Sequence, residues 1–125
     1  MKYLLFIALG GAGGAVGRYL LSEWVHSLWK GHLPLGTLMV NVIGSFAIGV
    51  AYVLLVEKDI LHPGWRSVLM IGFLGAFTTF STFSLETITL IEQGQLWHAL
   101  AYIIFSALAC VLAAGCAIQL TRFLS

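Results

Sequence analysis

Four long apolar stretches, Tyr3–Leu21, Leu35–Val56, Val68–Ile91 and Leu96–Leu120, take up most of this chain. A helix that crosses the hydrocarbon core of a bilayer needs roughly 20 mostly apolar residues, and each stretch reaches or approaches that length. The 125 residues are 60% hydrophobic and only 9% charged, and the linkers between the stretches are too short to form a soluble domain. The predicted architecture is an all-α membrane protein, a single transmembrane domain over residues 1–125 with four spanning helices.

The remaining composition excludes several classes of function. A net charge of +1 lacks the clustered basic face that nucleic acid requires, so no nucleic acid partner is expected. Lys2 precedes an apolar run, as in a secretory signal, but that run passes through Gly10, Gly13, Gly14 and Gly17 to Arg18 without a small-x-small cleavage pattern. Cys110 and Cys116 point to different faces of one helix and cannot pair with each other, so they read as small buried hydrophobes. His26, His32, His62 and His98 fall in or beside linkers, too scattered for a metal site, and read as solvated loop residues. Trp24 and Trp29 in the first linker, Trp65 in the second and Trp97 at the start of the fourth span mark the membrane borders. An even number of spans puts Lys2, Lys58, Arg66 and Arg122 on one side, against Lys30 and Arg18 on the other, a weak orientation bias that permits insertion both ways.

One segment of the third span is unusual for a membrane. From Gly75 to Ser84 the chain carries five hydroxyls and three aromatic rings in ten residues. Polar groups at bilayer depth face protein, water or a permeating solute. Gly72, Gly75, Thr78 and Thr79 lower helix propensity, which predicts a break near mid-membrane between about Gly75 and Thr79. A break frees carbonyls able to coordinate a cation and creates a new helix N-terminus that favours an anion. Thr79 or Ser81 suits its N-cap. The competing reading is a continuous helix whose hydroxyls bond back to the preceding turn. Beyond the break, Phe80 and Phe83 share a face bordered by Ser84 and Thr87, while Ser81 and Thr82 point elsewhere. The positive edges of such rings can meet a small anion, or the rings can simply pack.

The other spans add sparse polar positions. Asn41 and Ser45 are four apart on one face of the second span, as interhelical glue or as solute contacts. Tyr102, Ser106 and Cys110 form a stripe on the fourth. Arg18 can snorkel or give a vestibule positive potential, and Glu86 is the one carboxylate well inside a span. Lys and Arg are absent from the core of spans two to four, which favours passage of an anion over tight trapping. Gly10/Gly14, Gly13/Gly17 and Ser45/Gly49 have the spacing of close helix contacts and point to association, although packing within the chain uses the same residues.

Three motifs, in order, carry a resemblance. Gly10-Gly-Ala-Gly-Gly-Ala-Val-Gly-Arg18-Tyr19, Gly36-Thr-Leu-Met-Val-Asn41-Val-Ile-Gly44-Ser45-Phe46 and Gly72-Phe-Leu-Gly75-Ala-Phe-Thr78-Thr79-Phe80-Ser81-Thr82-Phe83 resemble the Fluc family of fluoride channels, and the likeness spans the whole chain. The resemblance implies an antiparallel, dual-topology homodimer in the bacterial inner membrane, with two pores that passively export fluoride from the cytoplasm. It implies a structural sodium ion at the dimer centre, held by the backbone carbonyls of Gly75 and Thr78. Phe80 and Phe83 then correspond to the pore phenylalanines and Asn41 to the pore asparagine. Ser81, Thr82, Tyr102 and Ser106 correspond to the polar track. Arg18 resembles the first-helix arginine and Glu86 a carboxylate near one pore end, while Cys110 stands where a hydroxyl could extend the track.

Two other classes are rivals to this reading. A small dual-topology multidrug exporter needs a membrane carboxylate in its substrate pocket, yet the first span has none and Glu86 lies beyond the hydroxyl cluster. A non-transporting scaffold would use the Thr and Ser residues only as glue between helices. No grouping of nucleophile, base and oxyanion donors is visible, so an enzyme is not expected.

Overall fold

The structure is a computed structural model that describes residues 2–31 and 33–125. His32 lies outside the described residues. Four helical segments long and apolar enough to cross a membrane make up the chain. Helix α1 is Leu4–Leu28, and α2 is Leu35–Ala51, prolonged by a π-helical end at Tyr52–Glu57. Helix α3 begins as Pro63–Arg66, widens to π-helix over Ser67–Leu74 and closes as one α-turn at Gly75–Phe77. After an interruption come α4, Ser81–Glu92, and α5, Leu96–Leu124.

The helices outrun the apolar stretches. α1 continues past Leu21 through Glu23, Trp24 and His26, and α3 starts at Pro63, ahead of Val68. Backbone hydrogen bonding does not stop where the apolar residues do, and an interfacial turn keeps its ladder while its side chains meet headgroups. His26 and His98 therefore sit on helices and not in loops. His62 precedes α3, and its Nδ1 accepts the Gly64 N–H at 3.0 Å. Pro63 follows at the first helical position, where its missing N–H costs nothing. Arg66 fastens the same linker, with Nη2 donating to the Leu55 carbonyl at 2.7 Å and to Asp59 Oδ1 at 3.4 Å. Gly94, at φ +77°, makes the tight turn from α4 into α5.

Close helix seams come from glycine. A methyl added at Gly10 or Gly14 would overlap the Val68 or Phe73 carbonyl oxygen, so α1 lies backbone to backbone on α3. Gly72 answers from the other side, where an added Cβ would come within 2.6 Å of the Ile7 carbonyl oxygen. Gly13 and Gly17 leave room for the Phe73 and Phe77 rings. Across the molecule, Gly49 admits α5 at Ala114 and Ala117. Gly10, Gly14 and Gly49 thus serve close contacts within the chain, the alternative reading of these spacings. The core is thin. Leu38, Leu90, Ala99 and Tyr102 form its main cluster, with Phe83, Val42, Leu33 and Leu35 packed on it. Large apolar side chains such as Leu5, Phe105, Val111 and Phe123 cover the outside, as expected of a surface solvated by lipid.

Candidate functional site

The interruption in the third span lies at residues 78–80, between Phe77 and Ser81. Thr78 closes the turn before it, its N–H and its Oγ1 both donating to the Leu74 carbonyl at 3.1 Å. The backbone then turns extended, with ψ 156° at Thr78. This is the later end of the segment expected to break. Gly75 itself remains helical.

Asn41 explains the position. Its Oδ1 accepts the Thr79 N–H at 2.8 Å, and its Nδ2 donates to the Thr79 carbonyl at 2.9 Å. One amide thereby satisfies both backbone groups that the missing helical turn would leave bare, a requirement that lipid enforces. Gly44, one turn on, lets α2 come up against Thr78, whose Cγ2 would collide with any side chain there. On the far side the N-cap position is Phe80, not Thr79 or Ser81; Thr79, one residue earlier, still accepts the Thr82 N–H on its Oγ1 at 3.3 Å and lies 3.5 Å from the Ser81 hydroxyl. The hydroxyls of Ser84 and Thr87 bond back to the Phe80 and Phe83 carbonyls at 2.9 and 2.8 Å. The back-bonding hydroxyls of the continuous-helix reading are thus present, but the helix itself is interrupted.

Arg18 reaches the same break from α1. Its Nε donates to the Ala76 carbonyl at 3.3 Å, placing a cation at the C-terminal end of α3, where exposed carbonyls concentrate negative potential. Arg18 is half-buried there.

Beside the break opens a groove of about 490 Å³. Asn41 and Ser45 form one wall, Thr78, Thr79, Phe80 and Phe83 another, and Ile103, Ser106, Ala107 and Cys110 of α5 the third. None of these described lining residues is charged. The Phe80 and Phe83 ring centroids are 5.4 Å apart at 44°, and Phe80 is 77% exposed. Ser106 is buried, and its Oγ has no hydrogen-bond partner among the described residues.

Not every expected residue meets here. Ser81 is exposed and Thr82 half-buried, and neither lines the groove. Tyr102 is only 2% exposed, behind Phe83, whose ring centroid is 5.0 Å from its own. Its hydroxyl donates to Glu86 Oε1 at 2.9 Å, which ties α5 to α4. Glu86 is thus held by Tyr102 away from the groove wall. Ile103 and Ala107 join the lining without having been singled out, as do Thr79, expected only at the break, and Ser45, named only beside Asn41. The i, i+4 relation to Asn41 was the one signal for Ser45.

The CrcB-like family model, described as camphor resistance protein CrcB, matches residues 5–118. The chain belongs to this family. It is 50% identical over 124 residues to a protein of Hahella chejuensis, a match that covers 99% of this chain and 98% of the relative. It is 50% identical to a Saccharophagus degradans protein, covering 94% and 88% of the two chains, and 48% identical to one from Alteromonas mediterranea, covering 94% and 92%. All three relatives are named fluoride-specific ion channel FluC, the family that the three motifs resemble. Members of this family are named as channels and not as enzymes. With four helices of spanning length, the chain is a multi-pass protein of the bacterial inner membrane.

Proposed function

We propose that the groove beside the break is half of a passive fluoride pathway, completed by a second copy of the chain. The observation that carries this reading is the lining. Asn41, Thr and Ser residues and two phenylalanine rings line one open space, and no charged side chain stands among the described lining residues. A small, strongly hydrated anion must exchange its water for other donors, and neutral ones release it where a lysine would hold it. Asn41 has one N–H left after binding Thr79, and the Ser106 hydroxyl is unclaimed. The exposed face of Phe80 and the openness of the groove call for a covering surface. In an antiparallel homodimer each pore draws on both copies, so Ser81 and Thr82, turned away from their own groove, serve the partner's.

The break also suits a sodium ion at the dimer centre. Gly75 is exposed, and the helix end at Phe77 leaves carbonyls without intrahelical donors. The Leu74, Ala76 and Thr79 carbonyls take hydrogen bonds from Thr78, Arg18 and Asn41, and those of Gly75 and Thr78, which the family resemblance assigns to the ion, take none of these bonds. Two carbonyls are too few for such an ion, and a two-fold related copy doubles the set.

Purified protein in liposomes, with ion-selective electrodes following efflux, tests the function. The expected result is rapid fluoride efflux, little chloride efflux and no requirement for a proton gradient. Equal chloride flux points to an unselective pore. Absence of both leaves a scaffold and ends the proposal.

A further inference from the structure

A second pocket, of about 310 Å³, opens at the membrane border where the starts of α1 and α3 meet. Phe6, Trp65 and Val68 line it with apolar surface, beside Gly64 and His62. It shares no described lining residue with the groove at the break. Gly64 is buried, and an added Cβ would come within 3.1 Å of the Phe6 ring and 3.2 Å of the His62 imidazole. Glycine is thus what lets α1 and the linker close together here.

The polar groups around this recess are all donors or cations. His62 Nδ1 accepts the Gly64 N–H at 3.0 Å, so the neutral ring carries its proton on Nε2, and no described residue claims that N–H. Lys2 begins an aromatic row that ends in the pocket wall. Its Nζ lies 5.2 Å from the Tyr3 ring centroid, and the Tyr3 ring stacks on Phe6 at 5.9 Å. No described lining residue is acidic. On this side of the four spans Lys2, Lys58, Arg66 and Arg122 outnumber Glu57 and Asp59, and both carboxylates already pair with Arg122 and Arg66. Trp65 marks headgroup depth.

We propose that this pocket binds an anionic phospholipid, with an acyl chain against Phe6, Trp65 and Val68 and the phosphate near His62 and Lys2. An apolar recess bordered by an N–H donor and a cation matches the two-part chemistry of such a lipid. A zwitterionic lipid offers the same chain, but its ammonium meets the same positive charge. Each basic residue at the surface favours the anionic lipid about fivefold, the ratio equivalent to about 1 kcal/mol.

The test is native mass spectrometry of the purified protein given equal amounts of phosphatidylglycerol and phosphatidylcholine with identical chains. Wild type is expected to retain phosphatidylglycerol in preference. His62→Asp keeps an acceptor for the Gly64 N–H but places a negative charge at the pocket, and the preference is expected to vanish. Lys2→Gln, at an exposed position, should lower phosphatidylglycerol retention about fivefold. Lys30→Gln, exposed in the linker on the opposite side, should leave it unchanged. Equal retention of the two lipids by wild type overturns the proposal, as does an unchanged preference in His62→Asp or Lys2→Gln. A loss in Lys30→Gln as large as in Lys2→Gln also overturns it, by reducing the effect to diffuse surface charge. Retention of neither lipid ends it too. Should His62→Asp fail to fold, Lys2→Gln against Lys30→Gln decides alone. None of these readouts requires fluoride flux, so the outcome stands apart from the reading of the groove.

Discussion

Residues 63–77 and Ser81–Glu92 share one span, yet they are held in different ways. The first half lies against α1 with glycine on both sides of the seam, so that backbone meets backbone at Gly10, Gly14 and Gly72. The second half packs on α5 through Thr87, Leu90 and the Glu86–Tyr102 bond, and leaves Leu85 and Ile88 exposed. Between them the chain changes neighbours, and a third helix, α2, supplies the amide that makes the change tolerable. The first half, sealed in this way, meets α1 too closely at these glycines to admit a solute between the two backbones. The open half gathers hydroxyls and rings around a groove because the break has moved it away from α1. A helix interruption in a membrane is thus a way to hand one span from one partner to another, with a side-chain amide pairing the N–H and carbonyl of Thr79 at the break.

Substitutions can break this contrast, and the largest effect belongs to the sealed half. Gly14→Leu drives a side chain into the Phe73 carbonyl. Overpacking of this kind costs more than about 3 kcal/mol where backbone cannot yield, so the expected outcome on size-exclusion chromatography is loss of monodisperse protein. Asn41→Ala comes next. It strips partners from the Thr79 N–H and carbonyl, at about 1–3 kcal/mol for each orphaned group. A lower melting temperature in detergent and reduced fluoride efflux are both expected. An unchanged melt would mean that the break does not depend on the clamp.

Tyr102→Phe probes the open half more gently. It removes the hydrogen bond to Glu86 while preserving the ring against Phe83, and should lower stability by about 1 kcal/mol. A thermal melt of the variant beside wild type is sufficient to check it. The smallest effect is expected at Glu57→Gln. This residue pairs with Arg122 where the ends of α2 and α5 meet, and exposed pairs contribute little. Neither melting temperature nor flux should change measurably.

Much of this was legible in the sequence, for physical reasons that also mark where legibility stopped. Hydropathy summed over a span is a strong signal, and the four helices were found by it. Their ends were not, because α1 and α3 continue on hydrogen bonding through residues such as Glu23, Trp24 and Trp65 that hydropathy reads as borders. Gly75, Thr78 and Thr79 announced a weak helix. The break's position depends on Asn41, 38 residues earlier in the chain, and no local propensity encodes that. Helical spacing put Tyr102, Ser106 and Cys110 on one face correctly. It could not reveal that Phe83 covers Tyr102, leaving only Ser106 and Cys110 on the groove. Glu86 stood out as an intramembrane carboxylate, but its partner is set by how α4 leans on α5.

The claim that the groove conducts, and does not merely pack, rests most directly on Phe80, the most exposed ring of its lining. The decisive measurement is fluoride efflux from liposomes carrying Phe80→Ile, with the elution volume of the variant recorded beside wild type. The account predicts much slower fluoride efflux at an unchanged elution volume. Wild-type efflux from a variant that keeps its assembly would contradict it, and loss of the assembly would return Phe80 to a packing role.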